Sequence, residues 1–211
     1  ARITVNRNKK FIFWRQCQTV SSERFCYLFE KGGKCFEMKN DKLNFQDKKR
    51  NNAWRHFITI TQHKWVVLKG CFRVGLYKQG LLHDLSKYTW EEFKTGVQYY
   101  QGNRSPNAAE KEEKGYSSAW LHHKGRNKHH WEYYVDFFKG KIILKNIPYN
   151  YCLEYCADML AASKTYDKKN FSGKVVYDYF MSRVENYCMT KATKEFIGWL
   201  LLTYANEGFK G

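Results

Sequence analysis

Apolar residues between positions 53 and 211 recur three and four residues apart, which is the spacing of amphipathic α-helices. The first such segment has one continuous inward stripe, made of Ile60, His63, Val67, Cys71 and Val74. We expect no β-strand after residue 52, because no segment there shows a convincing strand pattern. The sequence therefore predicts an all-α, compact domain of about six to eight helices over residues 53–211.

Glycine and proline mark where these helices begin and end. After a turn bracketed by Gly75 and Gly80, we expect a second helix over Leu81–Tyr88 that carries His83 and Asp84. Later helices are expected over Ser117–His123, Lys128–Phe138, Tyr151–Lys164, Val175–Tyr187 and Ala192–Asn206.

Two further helix starts are indicated by capping residues. Thr89 and Glu92 have the spacing of a capping box, in which each side chain binds the backbone of the other residue. Ser105 followed by Pro106 is a typical N-cap and first-turn pair, and Gly115 ends that short helix. These signals place one helix directly after residue 89 and another after residue 105.

Residues 1–52 differ from the rest of the chain in composition. They hold 13 Lys and Arg against five Asp and Glu, and no histidine. We interpret them as a basic N-terminal extension with short strands at Arg2–Val5 and Phe11–Trp14. Whether this arm is disordered, or foreign to the natural protein, stays open.

The seven histidines are confined to residues 56–130. They are His56, His63, His83, His122, His123, His129 and His130. Imidazole and carboxylate groups suit Fe, Mn, Ni or Zn as ligands, so we expect one or two divalent transition metal ions. His56, which stands apart, is assigned to the surface or to a helix cap.

His63, His83, Asp84 and Asp158 are the first candidates to hold one ion together. Neighbouring residues on a helix point about 100° apart, so His83 and Asp84 reach one ion only where their helix ends against the site. The remaining ligands must then come from other helices, which His63 and Asp158 supply. Since the doubled histidines also diverge, one of each pair faces the metal, and we favour His123 and His130.

The order His, His-Asp, His, His, Asp resembles the HD superfamily of metal-dependent phosphohydrolases. The doublet stands in LLHDLSK, at residues 81–87, and the late aspartate stands in ADMLA, at residues 157–161. The resemblance implies an HD-like helical fold, with His63, His83, Asp84 and Asp158 at one metal and two further histidines at a second. The separation of His63 and His83 is shorter than is usual in that superfamily.

A closer resemblance covers residues 53–209. Residues 75–88 read GLYKQGLLHDLSKY and residues 119–130 read AWLHHKGRNKHH. Both runs are similar to a bacterial domain family of unassigned function, domain-of-unknown-function family 5662. This resemblance brings no established activity, so the expected function depends on the site residues.

Basic side chains near these ligands predict a phosphorylated substrate. We expect phosphate oxygens to be bound by Lys87, Lys124, Arg126 and Lys128. A metal would bind one phosphate oxygen, and these cations would balance the negative charge on the others. A metal-activated water would attack phosphorus, and His122 or His129 would protonate the leaving group, with Lys87 beside them. The leading hypothesis is a phosphohydrolase that acts on a nucleotide or another small phosphate ester.

Two alternatives remain. The net charge of +17 and the 18% aromatic content also fit a nucleic-acid-binding protein or nuclease. The second alternative is a non-catalytic helical module with a structural histidine or metal cluster.

The cysteines and the hydropathy pattern bear on the cellular setting. The seven cysteines are odd in number and include no CxxC pair, so we expect reduced thiols that fill the core and a cytoplasmic protein. No run is apolar enough for a membrane span, and we expect no membrane partner. A monomer and a homodimer are both compatible with the sequence.

Overall fold

The structure is a computed structural model that describes residues 4–6, 10–12, 30–31, 34–35 and 41–210. The chain forms two compact units, residues 1–48 and 49–211. In the first unit, β1 (Thr4–Asn6) pairs with β2 (Lys10–Ile12), and β3 (Glu30–Lys31) pairs with β4 (Lys34–Cys35), both antiparallel. The two strands expected in the arm overlap β1 and β2, and the rest of that interpretation lies outside the described residues.

The second unit is mostly helical, which confirms the predicted all-α class. The helices are α1 (Asp41–Arg73), α2 (Tyr77–Leu82), α3 (Trp90–Gln98), α4 (Pro106–Lys114), α5 (Ser118–Lys124), α6 (Tyr149–Tyr166), α7 (Gly173–Met181) and α8 (Lys191–Glu207). Single 3₁₀ turns lie at Leu85–Tyr88, Trp131–Tyr134, Val184–Asn186 and Gly208–Lys210. Within the part of the chain that the structure describes, no helix is both long and apolar enough to cross a membrane.

The helix expected over Lys128–Phe138 is wrong. One 3₁₀ turn is followed by an antiparallel hairpin of β5 (Val135–Phe138) and β6 (Lys141–Leu144). The connecting residues Lys139 and Gly140 both have positive φ, of 49° and 75°, which suits a tight hairpin turn. The aromatic and β-branched residues beside that turn favour strands, and Phe138 is 62% exposed.

The second helix also differs from its expected range. α2 ends at Leu82, and Asp84 adopts a left-handed conformation with φ of 53°. Asp tolerates this left-handed conformation better than most residues do, but a residue in this conformation cannot continue an α-helix. His83 and Asp84 therefore lie in a break between α2 and a 3₁₀ turn, where both side chains can face the same point.

The two capping predictions have different outcomes. Ser105 and Pro106 begin α4, and Gly115 ends it with φ of 80°, as expected. Thr89 begins α3, but the capping box is absent: the Thr89 hydroxyl donates to the carbonyl oxygen of Ser86. Glu92 instead binds histidines of α5, so its role is tertiary rather than local.

The apolar core lies around one face of α6. Its buried residues include Cys152, Cys156, Leu160, Phe180 and Ile197, contributed by α6, α7 and α8. Cys71, Cys152 and Cys156 are buried free thiols, in keeping with their expected role as core-filling side chains, whereas the free thiol of Cys188 is exposed.

A smaller apolar cluster joins α1 to α6. It consists of Val67, Cys71, Ala157 and Ala161. The expected stripe of α1 is therefore buried from Ile60 to Cys71, while Val74 is exposed. This packing brings His63, on the same stripe, against the polar face of α6.

Candidate metal centre

Six side chains predicted as metal ligands converge in the helical unit. α1 supplies His63, the break after α2 supplies His83 and Asp84, α5 supplies His123, the segment after α5 supplies His130, and α6 supplies Asp158. All are buried except Asp158, whose side chain is 16% exposed. The convergence depends on the left-handed Asp84, since a continuous helix would separate it from His83.

The first group of potential ligands contains His63, His83, Asp84 and Asp158, whose ligand atoms all lie within 4.8 Å of one another. His63 Nε2 lies 2.8 Å from Asp158 Oδ1. His83 Nε2 lies 3.2 Å from Asp84 Oδ2 and 3.5 Å from Asp158 Oδ1. Two imidazoles and two carboxylates so arranged match the donor set of a transition metal site.

The second group shares Asp84 and adds three histidines: Asp84, His123, His129 and His130. Asp84 Oδ1 lies 3.2 Å from His123 Nε2 and 3.5 Å from His129 Nε2. One oxygen of Asp84 thus faces each group, so this carboxylate could be shared by ions held in both. Both His129 and His130 belong to this group, although the sequence led us to expect only the second of them.

Glu154 contacts one histidine of each group on the ring edge opposite to Asp84. The sequence analysis did not identify this residue. Its Oε1 accepts from His83 Nδ1 at 2.9 Å and lies 3.2 Å from His129 Nδ1. A ring that donates through Nδ1 presents its Nε2 lone pair to the opposite side, here toward Asp84. The available signal was spacing, since Glu154 precedes Asp158 by one turn of α6.

Glu92 has the same role toward α5. Its Oε2 lies 2.8 Å from His123 Nδ1, and its Oε1 lies 2.7 Å from His122 Nδ1. His123 Nδ1 also lies 3.1 Å from the Ser86 hydroxyl. His122 therefore stands outside both groups and contacts them through Glu92.

Several buried polar atoms at the centre of the described helical unit have no hydrogen-bond partner. They are Nε2 of His83, His129 and His130, and both carboxylate oxygens of Asp84. Lys87 Nζ, His83 Nε2 and His123 Nε2 lie 2.5, 3.2 and 3.2 Å from the Asp84 oxygens, so these atoms are balanced by charge rather than by well-aligned hydrogen bonds. All are lone-pair donors or become so on losing a proton, and the residues therefore fit a metal ion.

The carboxylates at the centre are held ionised. Burial opposes the charge on Asp84, but His83, Lys87 and His123 outweigh it and hold its pKa well below the usual range. Burial likewise opposes the charge on Asp158, where hydrogen bonds with His63 and His83 keep the pKa low. The centre thus retains negative charge at neutral pH, which favours cation binding.

The histidines divide by whether the nearby carboxylates outweigh the effect of burial. Burial disfavours protonation of His83 and His123, but Asp84 outweighs it and raises the pKa of His83 well above its usual value and that of His123 to about 9. At His63 and His130 burial prevails and the pKa falls. In the metal-free protein, protons on His83 and His123 thus take the place of a cation.

A cavity of about 180 Å³ adjoins both groups of ligands. Its lining includes His63 and Asp158 from the first group, His123 and His130 from the second, and Lys87. Lys87 Nζ lies 2.5 Å from Asp84 Oδ2. Burial opposes the charge on Lys87, but Asp84 outweighs it and raises the pKa of the ammonium.

The other basic residues expected at phosphate lie away from this cavity. Lys124 is partly buried, and Arg126 and Lys128 are exposed; none of the three lines it. Lys128 lies over the ring of Tyr133 instead. Of the four basic residues, the structure brings only Lys87 to the ligand cluster.

His56 is not at the surface, and its expected assignment is wrong. It is 6% exposed, lies two turns before His63 on α1, and lines the same cavity. Its pKa is lowered to about 4, chiefly by burial and further by the charge of Lys87. The histidine pattern gave no sign of this, because the partners that bury His56 come from α3.

Comparison with known proteins adds the family but no activity. Neither the curated proteins nor the solved structures contain a match to this chain. Residues 52–201, which include every ligand candidate, match the family described as a family of unknown function, DUF5662. This range agrees with the expected resemblance except at its C-terminal end, and it carries no assignment to the HD superfamily. The chain belongs to the DUF5662 family.

Proposed function

We propose that the protein is a metal-dependent phosphohydrolase that acts on a small phosphate ester, a class that includes nucleotides. The observation that carries this proposal is the sharing of Asp84 by two groups of buried imidazole and carboxylate donors beside a cavity. A single structural metal would need only one such group. Two adjacent ions are typical of phosphate-ester hydrolysis.

The ligands can be assigned to two positions. His63, His83, Asp84 and Asp158 would hold one ion, while Asp84, His123, His129 and His130 would hold the other. The mixed nitrogen and oxygen donors favour Fe, Mn, Ni or Zn over Ca²⁺ or Mg²⁺. When bound, such ions activate water and polarise the phosphoryl group.

The remaining polar residues of the cavity orient and neutralise the substrate. Lys87 supplies a cation that can leave Asp84 for a phosphoryl oxygen once metal ions share that carboxylate. Hydrolysis forms a bond between water oxygen and phosphorus and breaks the bond to the ester oxygen, which takes a proton. His122 remains the candidate proton donor, because both nitrogens of His129 face carboxylates. His122 does not itself line the cavity, and it would act through Glu92, which does.

The test begins with elemental analysis of the full chain, purified without a metal-affinity tag. We expect one to two equivalents of a transition metal, and hydrolysis of p-nitrophenyl phosphate that a chelator abolishes and the same metal restores. The double variant His83→Ala/Asp84→Ala should lose both. Asp136→Ala, which removes an exposed carboxylate on β5, is the matched control and should lose neither.

The alternatives give different results in the same experiment. A structural metal cluster predicts bound metal, unfolding on chelation and no turnover of any phosphate ester. A metal-free protein that stays folded and takes up no added Mn or Fe contradicts the proposal.

A further inference from the structure

The segment that carries His83 and Asp84 is weakly anchored by apolar side chains. Of the described residues 77–88, only Gly80, His83 and Asp84 are buried. The leucines on either side of the ligand pair are exposed, namely Leu81, Leu82 and Leu85 at 57%, 52% and 48%. Burial of apolar surface therefore contributes little to holding these two ligands in place, and polar contacts must do so.

Lys64 connects this segment to α1, the helix that supplies His63. Its Nζ donates to the carbonyl oxygen of Leu81 at 2.8 Å and to that of His83 at 2.7 Å. The Leu81 carbonyl is among the last four of α2, which have no partner within the helix. Lys64 thus caps the C-terminus of α2 where the chain turns toward the ligand cluster.

The hydrogen bond to the His83 carbonyl acts on the backbone of Asp84. That carbonyl and the amide N–H of Asp84 belong to one planar peptide group. The φ of Asp84, 53°, is a rotation relative to this plane, so fixing the carbonyl limits it. A residue other than glycine keeps such a φ when its surroundings hold it there. Lys64 therefore stabilises the left-handed turn that lets both ligands face the same point.

Two other contacts join α1 to the same segment. A Cβ at Gly80 would lie 3.0 Å from the Cβ of Cys71, so α2 approaches α1 closely there. The hydroxyl groups of Thr61 and Tyr88 lie 3.0 Å apart at an exposed position. Neither contact involves the backbone of the ligand pair, which Lys64 reaches directly.

The charge of Lys64 opposes a cation at this place. Burial lowers the pKa of the Lys64 ammonium, and the charges of Asp84 and Glu154 counteract that shift, so the ammonium interacts with the carboxylates of the centre. A positive charge beside a metal site repels the metal ion. Electrostatics alone thus predicts tighter metal binding once Lys64 is replaced by a neutral residue, whereas a positioning role predicts weaker binding.

We propose that Lys64 is a positioning residue of the metal centre. By holding the carbonyl oxygens of Leu81 and His83, it sets the left-handed turn at Asp84 and so places the carboxylate that both ligand groups share. This inference rests on the metal binding of the proposed function. It assigns a role to a lysine that belongs to neither ligand group.

The main experiment is calorimetric titration of the metal-free full chain with Mn²⁺. Lys64→Met keeps the aliphatic stem but removes the hydrogen-bond donors and the charge. Its affinity for Mn²⁺ should be about 10–100 times weaker than that of wild type, the range for loss of a partner behind a metal ligand. Unchanged or tighter binding would overturn the proposal, because loss of the charge alone has that result.

Two further substitutions grade the effect. Lys64→Arg retains donors for both carbonyl oxygens and should bind Mn²⁺ within about threefold of wild type. Lys64→Gln is neutral and one bond shorter, so its affinity should lie between those of Lys64→Arg and Lys64→Met. If Lys64→Met does not fold, weaker binding by Lys64→Gln than by Lys64→Arg supports the proposal, and equal binding overturns it.

Two controls separate positioning from general loosening and from loss of charge. Thr61→Val removes another hydrogen bond between α1 and this segment. Lys69→Met removes an exposed lysine from the same helix. Both variants should bind Mn²⁺ as wild type does. If Thr61→Val weakens binding as much as Lys64→Met, any loosening of the segment has the same effect and the specific role of Lys64 is wrong.

A spectroscopic measurement distinguishes positioning from a contribution to stability. At saturating Mn²⁺, the electron paramagnetic resonance spectrum of Lys64→Met should differ from that of wild type, because Asp84 no longer holds the same place among the ligands. A lysine that only stabilises the fold would leave the spectrum of the loaded, folded protein unchanged. Identical spectra would therefore overturn the proposal.

Failure of this inference is distinct from failure of the proposed function. If wild type and Lys64→Met bind Mn²⁺ equally well, the role of Lys64 is wrong, and hydrolysis of p-nitrophenyl phosphate by wild type is unaffected by that result. If the affinities differ as expected but no phosphate ester is hydrolysed, the phosphohydrolase proposal fails and the role of Lys64 in the metal centre stands. A wild-type protein that binds no Mn²⁺ overturns both.

Discussion

The two faces of α6 belong to regions of opposite character. On one face Cys152, Cys156 and Leu160 pack against the apolar side chains of α7 and α8. On the other face Glu154 and Asp158 meet a cluster of histidines. Both faces are buried. The contacts of the apolar face need no further partner, whereas several polar atoms around the polar face form no hydrogen bond.

This difference separates stability from binding along a single helix. The apolar face should account for the stability of the metal-free protein, because burial of apolar surface is favourable without a ligand. The polar face holds ionised carboxylates and charged rings away from water, which contributes little net stability until a cation binds. Variants on the two faces should therefore fail in different ways.

The largest effect on metal binding is expected from removing the Asp84 carboxylate, which both ligand groups share, together with its neighbour His83. A metal ion at a thousandfold excess over its dissociation constant stabilises a protein by about 4 kcal/mol, and His83→Ala/Asp84→Ala should lose all of that increment. Thermal unfolding with and without added Mn²⁺ measures it. A double variant that still gains the wild-type increment would place the metal elsewhere.

The apolar face should respond in the opposite way. Phe180 is fully buried between α6 and α8, so Phe180→Ala should lower the free energy of unfolding by about 3–5 kcal/mol through a cavity. The stabilisation by added metal should remain, because no ligand contacts this side chain. Val175→Ala on the exposed side of α7 is the control, with an expected change of less than about 0.5 kcal/mol in chemical denaturation.

The same contrast explains what the sequence could predict. The stripe of α1 and the helix α6 follow from periodicity, since apolar burial repeats with the helix itself. The predicted ligands were recognisable because His63, His83, Asp84 and Asp158 are residue types that a core otherwise avoids. Their convergence is what the structure adds.

Features that depend on tertiary contacts were not predictable in this way. The left-handed Asp84 ends a helix that periodicity would continue, because its partners include His63 on α1 and His123 on α5. The sequence indicated a local capping role for Glu92 and no role beyond the helix for Glu154. Both side chains instead bind histidines that are distant in sequence. The hairpin after Tyr134 carried a turn signal at Lys139-Gly140 that the helical spacing of its aromatic residues obscured.

A smaller effect should separate His56 from the ligand cluster by pH. The folded-state pKa of about 4 lies below the ordinary 6.5, so the unfolded chain binds more protons in this window and stability falls as pH falls from 6.5 toward 4. Between pH 7 and pH 5 wild type should lose about 2 kcal/mol more than His56→Phe. Urea unfolding of both metal-free proteins at the two pH values gives the difference.

That comparison isolates His56, because all other histidines are common to both proteins. An equal loss in wild type and variant would mean that His56 titrates as an exposed ring does. The other histidines need not be removed, because the measurement uses only the difference between the two proteins.

The smallest effect tests whether the polar face needs its supporting carboxylate. Glu154→Gln keeps an oxygen that can accept from His83 and His129 but removes the charge, so metal affinity should fall about tenfold, the lower end for loss of a partner behind a ligand. Calorimetric titration of metal-free protein with Mn²⁺ measures the change. Glu185→Gln is the matched control: that side chain is 91% exposed and pairs only loosely with Lys194, at 3.7 Å, so the affinity should be unchanged. An unaltered affinity in Glu154→Gln would show that the histidines are oriented by packing alone, and the polar face would then resemble the apolar face more than its unpaired atoms indicate.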